Sequence, residues 1–493
     1  MNSITMQVRG MKLETSDIVL GKYRLYKYQA EVFESEEKAL AISAPTGGGK
    51  TLALLLGALK GTGIISGKEG KIGIIIYPTK SLLEEQAVQL CKLLSGIRIE
   101  GREIKPALVT PSILEEASVD VDLAILPIDA DILEELSGEK SHGTAFMKLL
   151  DTSVGATLIL TNFDIFYAIV KKLYTRGLML FKRIIYTLGF LGIDELHLYY
   201  GPSLNTLLFL LWNIKNKVDM FMFTSATHSK EVLQLLQKIF SNKLKYIRAR
   251  EDDDGIRIRY NLDLSFLENP DGRIMRSENT AKKLLRKVHE IFEETKEKIR
   301  PRVIVIVNSL AFSETVCKLL EEYYDVSLIH GFVPRKLRRM DAEVVVGTRA
   351  IEIGIDFDAQ SLIFEAGDSA TFIQRLGRVG RKREGKVLAY VPVEQVLRIN
   401  KTKVKDLSYT DFESLIYRTF PREPYYTGYI TSIYGIIQTF SNILSLLSGV
   451  EEITEKNVIK LIVENGDTLI PDIVDKGYIK NRKELLKRFH RIG

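Results

Sequence analysis

Residues Ala44-Pro-Thr46-Gly47-Gly48-Gly49-Lys50-Thr51 stand between an apolar run, Leu40 to Ser43, and an apolar helical stretch, Thr51 to Lys60. A glycine-rich turn that leaves a strand and opens a helix directs several backbone N–H groups and a helix N-terminus at one point, which suits phosphate oxygens. In such a turn Lys50 reaches the β- and γ-phosphates of a nucleotide and the Thr51 hydroxyl joins a Mg²⁺ shell. Thr46, Gly47, Gly48, Gly49, Lys50 and Thr51 are therefore candidate nucleotide ligands, although Ala44 stands where the general pattern has glycine.

Short β-branched runs alternate with helical stretches along most of the chain, the pattern of parallel sheets covered by helices, an α/β fold. In the first half, strands are expected at Leu40 to Ser43, Lys71 to Tyr77, Leu123 to Pro127, Thr157 to Thr161, Phe190 to Asp194 and Met220 to Thr224. The acidic stretch Glu251-Asp-Asp-Asp-Gly255 reads as a break, and a second series follows at Val303 to Val307, Val326 to Ile329, Glu343 to Gly347, Leu362 to Phe364 and Lys386 to Tyr390. After about Glu394 a mainly helical region is expected. Three domains result: 1–250, 251–394 and 395–493. Two distant cysteines, Cys91 and Cys317, suit buried thiols better than a disulfide. No apolar leader or membrane-length run is read, so a cytoplasmic protein is expected. The net charge of +6 permits a polyanionic partner.

Leu191-Gly-Ile-Asp194-Glu195-Leu-His197 ends another apolar strand. Phosphoanhydride hydrolysis needs one carboxylate for the metal shell and another to polarise water, so Asp194 is assigned to Mg²⁺ and Glu195 to the water. His197 either couples this segment to Ser225-Ala-Thr227 or simply packs. Tyr23-Arg-Leu-Tyr26-Lys-Tyr28-Gln29 precedes the P-loop strand, and the Gln29 amide has the donor and acceptor that read an adenine edge. Far downstream, Gln374-Arg-Leu-Gly-Arg378-Val-Gly-Arg381 is expected to carry its arginines on one helical face, with Arg378 and Arg381 meeting a γ-phosphate and Gln374 orienting them.

Gln29, GGGKT, Tyr77-Pro78-Thr79-Lys80, Thr161-Asn162, DELH, SAT, Asn308-Ser309, Gly347-Thr348-Arg349 and QRLGRVGR occur in the order found in superfamily 2 helicases, and the chain resembles that family over roughly residues 20 to 390. The resemblance implies two tandem RecA-like domains, 1–250 and 251–394, plus a helical C-terminal accessory domain. It implies ATP and Mg as cofactors and gives Asp356 a nucleotide-sensing role. It also implies single-strand contacts at Pro78, Thr79, Lys80, Thr161, Asn162, Asn308, His330, Gly331, Arg335, Arg338 and Thr348.

DELH with SAT, together with Ile351-Glu-Ile-Gly-Ile-Asp356 and Leu160-Thr-Asn-Phe-Asp-Ile-Phe166, resembles the CRISPR-associated helicase of type I interference systems. That implies single-stranded DNA, a Cascade surveillance complex and an HD nuclease as partners. None of the six histidines is followed by Asp, so the nuclease is expected on a separate chain. A DNA-repair helicase, a DExH RNA helicase and an ATP-gated nucleic-acid clamp remain open. The segment 96–150 fits no standard connection, and the basic tail from Lys476 suits either an anionic partner or solvent.

Overall fold

The computed structural model describes residues 3–67, 70–109, 121–137, 141–152, 155–226, 228–294, 299–333, 338–339, 341–351 and 359–421, with 428, 429, 432, 434, 435 and 438. Its first sheet has eight parallel strands, ordered Leu244–Arg248, Ala39–Ser43, Met220–Ser225, Leu188–Ile193, Ile72–Tyr77, Ala156–Asn162, Leu123–Ile128 and Pro106–Leu108. Ala39–Ser43, Leu123–Ile128, Leu188–Ile193 and Met220–Ser225 are buried at every residue. Parallel strands covered on both faces have no water side, which is why they read as unbroken apolar runs. Because they are parallel, Ser43, Tyr77, Asn162, Ile193 and Ser225 finish at one edge of the sheet, and the expected motifs begin there. Ligands of open α/β sheets gather at that edge.

The second sheet also has eight strands: Val326–Ile329, Val344–Gly347, Val303–Ile306, Ser361–Glu365, Gly385–Val391, Leu262–Glu268, Ile4–Val8 and Asp406–Leu407. Ile4–Val8 runs antiparallel to Leu262–Glu268, with Ile4 opposite Phe266 and Val8 opposite Leu262. This corrects the expectation that residues 1–250 form one domain. Met1–Thr15 groups with Arg250–Glu423, whereas Ser16–Pro45 and Gly49–Ala249 form the other unit. The cause is the alternation in Ile-Thr-Met-Gln-Val, which buries Met6 and Val8 (1% and 0% exposed) on the inner face of this sheet. Lys12–Leu13 then pairs with Ile256–Arg257, and Glu14 N–H donates to Arg250 O at 3.1 Å.

Helices Val393–Thr402 and Tyr409–Thr419 also belong to the second unit, so the start of the expected 395–493 domain is part of it. Phe412 and Phe420 pack their rings on Phe372. Residues 439–493, including the basic tail, lie outside the described residues. Among the described residues no helix is long and apolar enough to cross a membrane.

Truncating Met6 to Ala should cost about 2–5 kcal/mol, the usual range for a buried large-to-Ala change. Hydrogen exchange should show the loss in Leu262–Glu268 and spare the strands around Ala39–Ser43. Equal loss in both sheets would contradict the assignment of the N-terminal strand.

Candidate nucleotide site

The P-loop hangs from two neighbouring strand ends. Ala44 N–H donates to Ser225 O at 3.1 Å, and the Ser43 hydroxyl donates to Ala226 O at 3.0 Å. Gly47 and Gly49 take φ of +81° and +83°, conformations that L side chains rarely adopt. A Cβ on Gly49 would also come within 2.6 Å of Gln29 Nε2. Gln29 is 2% exposed; its Nε2 donates to Gly49 O at 2.9 Å, and its Oε1 accepts from Tyr26 N–H at 2.9 Å. The amide thus braces the P-loop and its own helix start, in place of the expected open adenine edge. The Tyr26 and Tyr28 rings stack beside it, 6.2 Å apart.

Lys50 begins the helix Lys50–Gly61, and its side chain is only 9% exposed. Its ammonium donates to Ala44 O at 3.2 Å and lies 3.2 Å from Glu195 Oε1. Asp194 is 6% exposed, and its Oδ1 accepts from Glu195 N–H at 2.9 Å and from the Thr224 hydroxyl at 2.5 Å. Burial first, and the Glu195 charge second, push its carboxyl above the ordinary range, while Lys50 and the Thr224 bond pull it back. Two carboxylates crowded against one ammonium favour an added cation. A Mg²⁺ takes hard oxygen donors, a chemistry that the Asp194 carboxylate has and that a Thr51 hydroxyl would add to.

Glu195 sits at φ +49°, ψ +50°, a left-handed conformation unusual for a residue with a side chain and a mark of functional strain. The bend returns its carboxylate toward Lys50 and sets Oε2 3.3 Å from His197 Nδ1. That same nitrogen lies 3.0 Å from Ser225 Oγ, so His197 links the DELH and SAT segments. Thr227 lies outside the described residues. Sequence reasoning missed Thr224, whose hydroxyl reaches Asp194 from the next strand; its only signal was a polar residue inside an apolar run.

The strand-end candidates fare unequally. Thr79 and Asn162 cap the helices Lys80–Leu94 and Phe163–Val170 through their side-chain oxygens. Thr161 is fully buried and donates its hydroxyl to Ile128 O at 2.8 Å, so its side chain is removed from the expected phosphate contacts. Lys80 is ion-paired with Asp129 and Asp131, which gives those two acids of the 96–150 segment a role.

In the second unit Arg375 is 1% exposed; its guanidinium donates to Glu365 O and, at 2.8 Å, to Asn308 Oδ1. The Glu365 carboxylate accepts from Asn308 N–H at 2.9 Å and Met275 N–H at 2.7 Å, and burial raises its pKa. Helix Ser369–Leu376 stops at Gly377, where Arg378 N–H turns back to Arg375 O at 2.9 Å. Arg378 and Arg381 therefore lie past the helix, not on one helical face as expected; Gln374 remains on it. Arg338 donates to Val333 O and His330 O, His330 faces Glu314 at 3.6 Å, Thr348 N–H donates to Ile329 O, and a Cβ on Gly331 would meet open space. Arg335 and Asp356 lie outside the described residues.

Residues 26–122 match the DEAD/DEAH box helicase family, and residues 279–384 match the C-terminal region of the CRISPR-associated nuclease/helicase Cas3. A putative CRISPR-associated nuclease/helicase Cas3 of Methanocaldococcus jannaschii is 23% identical over 440 residues, covering 81% of this chain and 54% of that protein. ATP-dependent RNA helicase ROK1 of Eremothecium gossypii is 22% identical over 384 residues, covering 74% of this chain and 58% of that one. The chain thus spans little more than half the length of these curated relatives. Of solved structures, the DUF1998 helicase MrfA bound to DNA matches with a TM-score of 0.61 at 17% identity, over 94% of this chain and 63% of the other. Mss116p bound to single-stranded RNA and AMP-PNP matches with a TM-score of 0.52 at 17% identity, over 90% and 86%. At these identities the structures speak for the fold, two tandem RecA-like domains of parallel sheet covered by helices.

Beside the P-loop strand, His228 donates Nε2–H to Ile42 O at 3.0 Å, and burial pushes its imidazole down to about 4. Unfolded, it titrates near 6.5, so the unfolded chain takes the proton first and stability falls as pH drops from about 6.5 toward 4. The loss should reach about 3 kcal/mol at roughly 1.4 kcal/mol per unit. His228→Gln keeps a donor without the charge, so its urea midpoint should vary less between pH 7 and 5. An unchanged slope would remove His228 from the acid response.

Proposed function

Taking the chain as an ATP-hydrolysing helicase of superfamily 2 that resembles Cas3, we propose that it is a motor on single-stranded DNA in type I CRISPR interference. In this reading it is recruited by a Cascade-type complex, and the nuclease resides on a separate HD polypeptide. The observation that carries the motor reading is the run of contacts from Lys50 through Glu195 and His197 to Ser225, which ties a phosphate-binding turn to a neighbouring strand end. The CRISPR reading rests on the Cas3 matches.

Lys50 and the P-loop amides hold the ATP phosphates, and Thr51 and Asp194 would hold Mg²⁺, which would neutralise developing charge on the phosphoryl oxygens. Glu195 takes a proton from the attacking water, with His197 keeping its carboxylate aimed. Arg378 and Arg381 act as arginine fingers, and Gln374 orients them. Pro78, Thr79, Lys80 and Asn162 contact the strand through backbone and cap groups. Asn308, His330, Gly331, Arg338 and Thr348 do so from the second unit, making mostly sequence-independent phosphate contacts. An RNA motor is the second reading, favoured by the match to an RNA helicase.

ATP turnover should rise strongly with single-stranded DNA, and less with RNA or duplex, at fixed salt. Stimulation chiefly by RNA would select the second reading, and DNA cleavage by the purified chain would overturn the separate nuclease. Glu195→Gln should bind ATP yet lose turnover. Arg378→Ala should lower turnover by about 10³-fold or more with little change in ATP affinity; normal turnover in either variant would remove that residue from its role.

A further inference from the structure

Helix Gly177–Thr187 buries Gly177, Leu180, Ile184 and Ile185, as an amphipathic helix should. Its water face is not simply polar. Leu178, Met179 and Tyr186 are 51%, 57% and 71% exposed there, and Leu173, just upstream, is 65% exposed. Spacings of three or four residues place Met179, Lys182 and Tyr186 on one stripe. Lysines from neighbouring helix ends close in around it. Lys172 and Lys217 both rest on the Phe181 ring, at 5.2 and 5.3 Å from its centroid, and Lys217 also reaches Tyr186 at 5.9 Å. Lys215 lies over Trp212, and Lys171 over Phe209.

Among the described residues no acid pairs with Lys172, Lys182, Lys215 or Lys217; Asp151 and Asp219 beside them are already paired with Arg183 and Lys71. The patch therefore combines uncompensated positive charge with exposed apolar surface. It lies where the strands Leu188–Ile193 and Met220–Ser225 begin, at the sheet edge opposite the nucleotide motifs.

We propose that this face docks an acidic protein surface carrying apolar side chains. Phosphodiester chains would use the lysines and rings but leave Leu173, Leu178 and Met179 without a match, whereas protein interfaces favour Met and Tyr at their core. The tail from Lys476 is itself strongly cationic in sequence, so like charge argues against it as the occupant. A partner seated here leaves the nucleotide edge open.

The test is fluorescence anisotropy of the full chain with a labelled amphipathic peptide, Glu on one face and Leu and Phe on the other, beside labelled single-stranded DNA. Met179→Ser with Tyr186→Ser, and separately Lys182→Glu with Lys217→Glu, should each weaken peptide binding at least tenfold. Both variants should keep the wild-type ATP turnover and DNA affinity, which also shows that they fold. Unchanged peptide binding in either pair would overturn the proposal. Loss of DNA affinity on charge reversal would overturn it too and make the patch a nucleic-acid surface.

Discussion

Lys50 is an ammonium almost removed from water, held between a carbonyl oxygen and a carboxylate, with a second buried carboxylate close by. Moving such charges from water costs several kcal/mol each, and only good geometry offsets it. The geometry comes from strand register. Ser225 lies opposite Ser43, and Ile193 opposite Phe223, so the P-loop, Asp194 and the Thr224 hydroxyl arrive at one level. A slip of one residue between Leu188–Ile193 and Met220–Ser225 would turn Thr224 away from Asp194 and cost the carboxylate that hydrogen bond. The site therefore depends on the sheet being parallel and fully covered, and the left-handed turn at Glu195 is tolerable because Asp194 and the turn after it fix it on both sides.

How much of this could be read from residues alone follows from physical chemistry. Central parallel strands announce themselves as apolar runs, so Ala39–Ser43, Leu188–Ile193 and Met220–Ser225 were legible, as was the glycine turn between strand and helix. Ile4–Val8 was not: five residues of half-buried alternation resemble many loops, and the partner lies beyond the whole P-loop unit. Leu262–Glu268 was missed for the same reason, since its buried residues alternate with exposed ones. Motif residues told of chemistry but not of partners. Gln29 and Thr161 had the right atoms for ligand contacts, yet their hydrogen bonds are spent on the chain itself.

The second unit keeps its order by a buried polar knot. Glu365 collects backbone N–H groups from Met275 and Asn308, and Arg375 returns to the Glu365 carbonyl and the Asn308 side chain. Every member comes from a different segment, so the knot sets the strand Ser361–Glu365, the turn after Ile306 and the helix Ser369–Leu376 against each other. In sequence Arg375 is one of three similar arginines. Its bonds to Glu365 O and Asn308 Oδ1 set it apart, whereas Arg378 and Arg381 follow the end of the helix.

The antiparallel pairing of Ile4–Val8 with Leu262–Glu268 also has a consequence for biosynthesis. A nascent chain halted after Ala249 holds every strand of the P-loop sheet, while Ile4–Val8 still waits for the strand it joins. During that interval Met6 and Val8 present an unpaired, half-apolar edge, the kind that recruits strands from other chains. Completion of the P-loop unit gathers its two ends and shortens the effective loop that the late pairing must close. Translation speed through residues 250–268 thus governs how long this polypeptide remains vulnerable to aggregation.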